Sequence, residues 1–438
     1  MKKHLFLALA AFVLAACGPK NESYKPVPVQ GHITHVQPMA GLVLWNDLAA
    51  EMHATHGGSL ALEFSYIQPC RLVTGKQDGK IQYDWTYLED KLSAAAARGH
   101  QMVVRFPLCY PSNRNNCIDK VGGTYVPAYI RALPDYHETF AANPGGDGPT
   151  WYPDWSNSEL QWFVKQFYTD LAERYGRDPR LAFVEVGFGH WAEYHTYGTE
   201  PQFGVNFPTR AYQREFFLHL AQVLPMPWMI SVDGGDEYYS DVCTHEQTKD
   251  LAFGLFDDTF MHAEHEIAQG DGWNERCWQA SGVDRWKTGV CGGEISYYTP
   301  DDQHNFLNPD GMYGFTWEQA AAKYHMTFVI CNDATRGDYF SPARVAEAGI
   351  ASGYNFKILA CETNGTDSRI TVTNTGIAPI YRDAFITVDG VRAEQSLCGL
   401  LPGEECTYTV QAVATPSNVR ITSDFILPSQ EIEFEAAE

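Results

Sequence analysis

Residues 181–197 read LAFVEVGFGHWAEYHTY, and the change of character along this stretch decides the fold. Leu181 to Val186 is an apolar run of strand type, broken at Gly187 and Gly189, and Trp191, Glu193, Tyr194 and His195 follow within five residues. A buried strand that opens at glycines into a loop bearing a carboxylate, aromatic rings and a histidine reads as the rim of a site. Thr288-Gly-Val-Cys-Gly-Gly-Glu294 repeats the pattern, a short apolar strand that ends in glycines and a carboxylate.

Working outward, apolar strands alternate with amphipathic helices. The strands are Gly41–Trp45, Leu60–Tyr66, Met102–Phe106, the opening run, Trp228–Asp233, Phe253–Asp258, Thr288–Glu294 and Thr327–Asn332. Helical spacing covers Trp85–Arg98, Glu159–Tyr175, Arg210–Leu224, Trp317–His325 and Ala343–Ala351. Gly99 and Gly176 supply stops, and Ser156 or Ser158 a cap. Eight strands with helical intervals predict an α/β fold, a (β/α)8 TIM barrel over residues 38–355. A doubly wound sheet is the alternative, but no GxGxxG follows the first strand. After Gly353 short alternating runs (Arg369–Gly376, Ala384–Val388, Thr407–Val410, Asn418–Thr422) predict a small C-terminal antiparallel β-sandwich over 356–430. Residues 431–438 read as a frayed acidic tail.

A chain of 438 residues, 45% hydrophobic, can bury a large core with a smaller unit beside it. The net charge of −23 argues against nucleic acid and anionic membrane surfaces as partners and favours a neutral or weakly charged substrate. Aromatic content of 13% suits sugar rings, although most of these rings belong to the core.

Met1-Lys2-Lys3 and the apolar run from His4 to Val13 form a leader, and Leu14-Ala15-Ala16-Cys17 resembles the lipobox of bacterial lipoproteins. The resemblance implies a signal peptide over 1–16, lipidation at Cys17, a tether over 17–37, and an exported chain held by lipid to the bacterial cell envelope, at the outer membrane or facing the periplasm. No later run approaches the length of a membrane-spanning helix. Ten further cysteines in an exported chain favour disulfides: Cys109–Cys117, Cys398–Cys406 and, less directly, Cys243–Cys277, with Cys291 and Cys331 as buried thiols.

Barrels build their sites at the C-terminal ends of their strands. There the sequence places Arg105, Glu193 with His195, Asp233, Asp257 with Asp258 and His262, Glu294, and Asn332 with Asp333. Each alone reads as a solvated or capping residue; together they read as a site. Carboxyls on strands four and seven face each other across a barrel mouth, the equipment of glycoside hydrolysis: one carboxyl kept protonated and one ionised. We expect Glu193 as general acid/base and Glu294 as nucleophile of a retaining reaction on a poly- or oligosaccharide. Arg105, Trp151, Trp155, Trp191, Tyr194, His195, Asp233, Asp258, His262 and Asn332 are expected to bind substrate. The long loop carrying Trp151, Tyr152 and Trp155 is expected to wall the pocket with at least one ring. No cofactor and no metal is implied: H-E-x-x-H, CxxC and G-x-S-x-G are absent, and Asp233–Glu237 is too short for a calcium loop.

The strand-four/strand-seven glutamate pair resembles clan A glycoside hydrolases, the 4/7 superfamily. More closely, the chain resembles an uncharacterised family of secreted glycosidase-like barrels known as a domain of unknown function. The resemblance rests on Trp191-Ala-Glu-Tyr-His195, Asp257-Asp-Thr-Phe260, Gly292-Gly-Glu294, His325-Met-Thr327 and Asn374-Thr-Gly-Ile-Ala-Pro379, and covers residues 38–430. Ala192, Tyr194 and Asp257 stand where that family's motifs carry Gly, Trp and Asn. The resemblance implies a barrel with an appended β-sandwich and a sugar-directed site. A non-catalytic glycan-binding lipoprotein on the same barrel is the alternative reading.

Overall fold

The structure is a computed structural model that describes residues 23–112, 120–337 and 339–437. The leader, Cys17 and Cys117 lie outside the described residues. Eight parallel strands close into a barrel: β1 (Gly41–Trp45), β2 (Leu62–Tyr66), β3 (Gln101–Arg105), β4 (Leu181–Glu185), β5 (Trp228–Ser231), β6 (Gly254–Phe260), β7 (Gly292–Ile295) and β8 (Phe328–Ile330). β8 pairs back onto β1, Phe328 opposite Gly41. The ring of strands excludes the doubly wound sheet.

The strands read as near-continuous apolar runs because both their faces are covered. Val43, Phe64, Val103, Phe183, Phe256 and Phe328 point inward and fill the barrel, with Phe183 and Phe328 stacked at 5.6 Å. Their alternate neighbours pack under the helices, of which the longest are Ser158–Tyr175 and Arg210–Val223. The first of these is capped by Asn157, whose side chain accepts from the Leu160 N–H at 3.0 Å, in place of the two serines that flank it. A helix not foreseen in the sequence, Trp273–Ser281, lies between β6 and β7.

The C-terminal strands are β9 (Phe356–Thr363), β10 (Ser368–Asn374), β11 (Phe385–Val388), β12 (Val391–Arg392), β13 (Glu405–Val410) and β14 (Val419–Thr422). One antiparallel sheet runs β9-β10-β13 and the other β12-β11-β14. Their apolar faces share one cluster with the barrel interior through Tyr354, Phe356 and Ile380.

Both ends of the described chain close this sheet, contrary to the expected tether and frayed tail. On the edge of β9 away from β10, Lys25–Pro26 pairs antiparallel with Glu362 and Thr363, and Phe434–Ala436 pairs in parallel with Phe356–Ile358. Glu433 and Glu435 accept backbone N–H bonds from Thr34, His35 and Ile33, so the acidic tail is tied by the segment before β1. The expected disulfides give way too. Cys109, Cys243, Cys277, Cys398 and Cys406 are free thiols, whereas Cys70 is disulfide-bonded. Cys109, Cys243 and Cys277 are buried as small hydrophobes. Cys406 lies on β13, which pairs with β10 and not with the segment that carries Cys398. No helix among the described residues is long and apolar enough to cross a membrane.

Candidate active site

Strand alternation decides which polar residues reach the barrel mouth. Arg105 closes β3 and sits in register with Glu185 at the end of β4, with Tyr66 of β2 on its other side. All three point into the barrel, and the Arg105 guanidinium becomes the hub of the site. Its Nε donates to Glu185, its Nη1 to Glu193 Oε1 at 2.7 Å and its Nη2 to Asp258 Oδ1 at 2.6 Å. The ring of Phe256 lies beneath it at 4.4 Å. Asp257 and Asp258 are neighbours on β6 and diverge. Asp258 points inward, where it also accepts from Ser231 Oγ at 2.6 Å. Asp257 points into the helical layer, where His265, Asn274 and Trp278 donate to it.

Glu193 rides on a tightly wound loop. Gly189 N–H donates to the Glu193 carbonyl at 2.7 Å, and His190 N–H to the His195 carbonyl at 3.0 Å. A Cβ on Gly187 would lie 1.9 Å from the Ala192 carbonyl oxygen, and one on Gly189 would lie 2.1 Å from that of His195, so this winding requires glycine at both positions. Trp191 and Ala192 adopt left-handed backbone (φ 54° and 67°). That turns the Trp191 ring and the Glu193 carboxyl to the same side, over the mouth. His195 Nε2 donates to Glu193 Oε2 at 2.5 Å, and its ring stacks on Tyr197 at 3.5 Å. Burial holds this imidazole neutral, with its pKa lowered to about 3.

The mouth holds a cavity of about 510 Å³ with Glu193, Asp258 and Glu294 in its wall. Trp45, Tyr66, Tyr110, Trp191, Tyr197 and the pair Tyr297–Tyr298 supply the rings. Glu294 is the penultimate residue of β7 and half-buried, and among the described residues Arg105 makes its ion pairs with Glu185, Glu193 and Asp258 and not with it. Burial and the nearby Asp258 and Glu193 charges outweigh the pull of Arg105 and the Tyr297 hydroxyl, and raise its carboxyl to about 8. Burial raises Glu193 as well, but Arg105 and a hydrogen bond from Asp258 oppose it. Asp233 and Asp258 are pushed well above the usual range, by burial first and then by the carboxylates around them. Arg105 pairs with Glu185, Glu193 and Asp258 and acts on Glu294 nearby, so one buried cation serves more acids than it can neutralise.

The geometry redistributes the expected site residues. Glu193, Glu294, Trp191 and Asp258 line the cavity. Arg105, His195 and Asp233 lie just beneath it; Asp233 sits 3.8 Å from His195 Nε2. Asn332 stands outside it, donating to the Tyr297 hydroxyl at 3.1 Å and accepting from the Trp45 N–H. His262 belongs to an adjoining cavity. Tyr194 is fully buried against Phe188 and Phe207 in the helical layer, because the residue after an inward-facing Glu193 turns outward.

The expected aromatic wall is corrected. Trp155 is 0% exposed and packs on Phe188 and Tyr212. Tyr152 is buried with its hydroxyl 2.9 Å from His190 Nε2, and Trp151 packs on Phe140 and under Lys120. A large ring next to a helix gains more from burial than from a rim. The loop does reach the mouth, through Gly145 and Asp147. Three features went unforeseen in the sequence. Glu185 was hidden in an apolar run. Trp45 and Tyr66 are the last residues of β1 and β2, aromatic strand ends with no charge to mark them as part of a site. Tyr297 and Tyr298 follow Glu294 directly. Among the described residues no cluster of His, Cys, Asp and Glu is arranged to hold a metal ion.

No family model matches the chain, and no curated protein matches it. Solved structures resemble it at the level of fold. The catalytic domain of a beta-amylase from Paenibacillus polymyxa is 10% identical over 72% of this chain and 99% of that one, with a TM-score of 0.42. A GH5-4 broad specificity endoglucanase from Clostridum cellulovorans is 11% identical over 73% and 100%, with a TM-score of 0.40. A monomeric beta-xylosidase from Caulobacter crescentus is 13% identical over 81% and 76%, with a TM-score of 0.39. At these identities and scores the likenesses carry no argument about activity, and the barrel rests on its own strand register.

Proposed function

We propose that the chain is a glycoside hydrolase acting on a neutral or weakly charged oligo- or polysaccharide, with Glu193 and Glu294 as its carboxyl pair. The observation that carries this reading is the shared cavity: two carboxyls from β7 and the loop after β4 in one ring-lined mouth, both raised by burial but only one of them paired with a guanidinium. Glu193 is gripped by a guanidinium at 2.7 Å, whereas Glu294 has none and is raised to about 8. Environments that drive two carboxyls apart assign the acid and the base. We therefore place the transferable proton on Glu294 and the fixed negative charge on Glu193, exchanging the roles expected from the sequence.

In the proposed cycle Glu294 protonates the departing glycosidic oxygen as the C–O bond breaks. The Glu193 carboxylate, oriented by Arg105 and by the His195 N–H, faces the developing positive charge at the anomeric carbon. Water then adds to that carbon and returns its proton to the Glu294 carboxylate. Tyr66, Tyr110 and Trp191 offer ring faces and hydroxyls to sugar units. Proximity and orientation on such a rigid mouth are worth as much as the proton transfer itself.

The test is reducing-sugar release from a panel of neutral polysaccharides by the wild type, Glu193→Gln and Glu294→Gln. Turnover lost in both variants while binding persists supports the proposal. Binding without turnover in the wild type supports the glycan-capturing alternative.

A further inference from the structure

A second cavity of about 360 Å³ adjoins the first, and the two share Tyr197 and Tyr298 as a common wall. It is built by other elements: Asp236 and Tyr238 after β5, His262 and Glu264 after β6, and Trp273 at the start of the following helix. None of these residues touches the Arg105 hub. Both volumes fall in the range of about 300–1,000 Å³ that small-molecule sites occupy.

Two observations identify an occupant. The first is the rings. Tyr298 on the shared wall is 64% exposed and Tyr238 across from it is 47% exposed, far more than core packing leaves open. Trp273 is held in place by its Nε1–H, which reaches Asp236 Oδ2 at 3.4 Å. Exposed, positioned rings flanking a cavity suit the apolar face of a pyranose, with the carboxyls and the phenol groups left for its hydroxyls. The second is the sign of the charge. Asp236, Glu264 and Asp271 line the cavity, and neither lysine nor arginine does. Arg276 pairs with Asp271 at 2.8 Å but does not line the space. An anionic sugar placed here meets like charge and is disfavoured, whereas a neutral or amine-bearing sugar is not.

We infer that this second cavity is a further saccharide subsite. The substrate is then an oligosaccharide that starts at Glu193 and Glu294, crosses the Tyr197–Tyr298 wall and lays a neutral or amine-bearing unit, never a uronate, against Tyr238 and Trp273. This deepens the proposed function and rests on it. Remote binding of this kind raises kcat/KM for longer chains without touching the reacting atoms.

The probes are cello-, xylo- and manno-oligosaccharides of two to five units, the matching 4-nitrophenyl glycosides, and oligogalacturonates of the same lengths. On the backbone that is cleaved, kcat/KM rises by about tenfold or more with length in the wild type, the scale of one well-placed stacked ring. Tyr238→Ala and Trp273→Ala each remove most of that rise and leave the 4-nitrophenyl glycoside within about twofold. Glu264→Lys, a charge reversal at the cavity wall, allows oligogalacturonates to compete where they did not before. Cleavage that ignores chain length, or a length effect untouched in both ring variants, overturns the subsite while the proposed function stands. Failure to cleave or bind any backbone, 4-nitrophenyl glycosides included, overturns both.

Discussion

Replacing Arg105 by Met tests the electrostatic account of the site. The guanidinium is fully buried and touches Glu185, Glu193 and Asp258. Methionine fills similar space with no charge, so the three carboxyls lose their common cation. Each contact is worth about 4 kcal/mol at an effective dielectric near 20, but the carboxyls need not suffer the full loss, because they can protonate. Binding one extra proton at pH 7 by a group that ionises near 4.3 when unfolded costs about 3.7 kcal/mol, and at pH 5 about 1 kcal/mol. The sign follows from linkage. The variant's carboxyl pKa values are raised above their unfolded values, so its stability is retained at low pH and declines as pH rises from about 4 towards those folded values. Urea unfolding at pH 5 and pH 7 should show a deficit against wild type of about 4 kcal/mol at pH 7 that shrinks by about 2.7 kcal/mol at pH 5. A deficit under about 1 kcal/mol at pH 7, or one equal at both values, would refute the idea that Arg105 lowers the proton affinity of this cluster.

Three further outcomes are expected. With Glu294 as proton donor and its carboxyl raised to about 8, kcat/KM should fall as pH rises past that value; a rise through the same region would make Glu294 an ionised nucleophile and restore the roles read from the sequence. Gly187→Ala should cost about 1–3 kcal/mol in chemical denaturation and depress activity, because its Cβ meets the Ala192 carbonyl that shapes the Glu193 loop. His265 is raised to about 9 by Asp257 and Glu266, so its contribution is fully present below its unfolded value near 6.5 and is lost as pH rises through about 9. Thermal unfolding should therefore show a Tm that declines between pH 7 and 10, and Asp257→Asn should flatten that decline.

The barrel was legible because its strands are covered on both sides and read as plain apolar runs between helix signals, and Leu181–Glu185 and Gly41–Trp45 lie where those runs predict. Glu193, Glu294 and Asp258 were legible by position at strand ends, and the cavity holds all three. The aromatic wall was not. Trp155 and Tyr194 are indistinguishable by composition from rim residues, and only the direction of the backbone sends them into the helical layer. The Arg105–Glu185 pair was hidden for the opposite reason, since Glu185 interrupts an apolar run and its partner is brought alongside by register between β3 and β4. The ends of the chain misled through composition. Polar and acidic segments read as solvated, but Glu433 and Glu435 are consumed by the backbone N–H groups of residues 33–35.

The measurement closest to the central claim is a proton NMR time course of the anomeric region, with a neutral oligosaccharide incubated with wild type and with Glu294→Gln. The account predicts a new reducing-end anomeric signal that grows with the wild type and grows about a thousandfold more slowly with the variant, the scale of a lost general acid. Its growth also shows whether configuration at the anomeric carbon is retained or inverted. Substrate signals that broaden on binding while no new anomeric signal forms, or a signal that grows equally fast with Glu294→Gln, would contradict it.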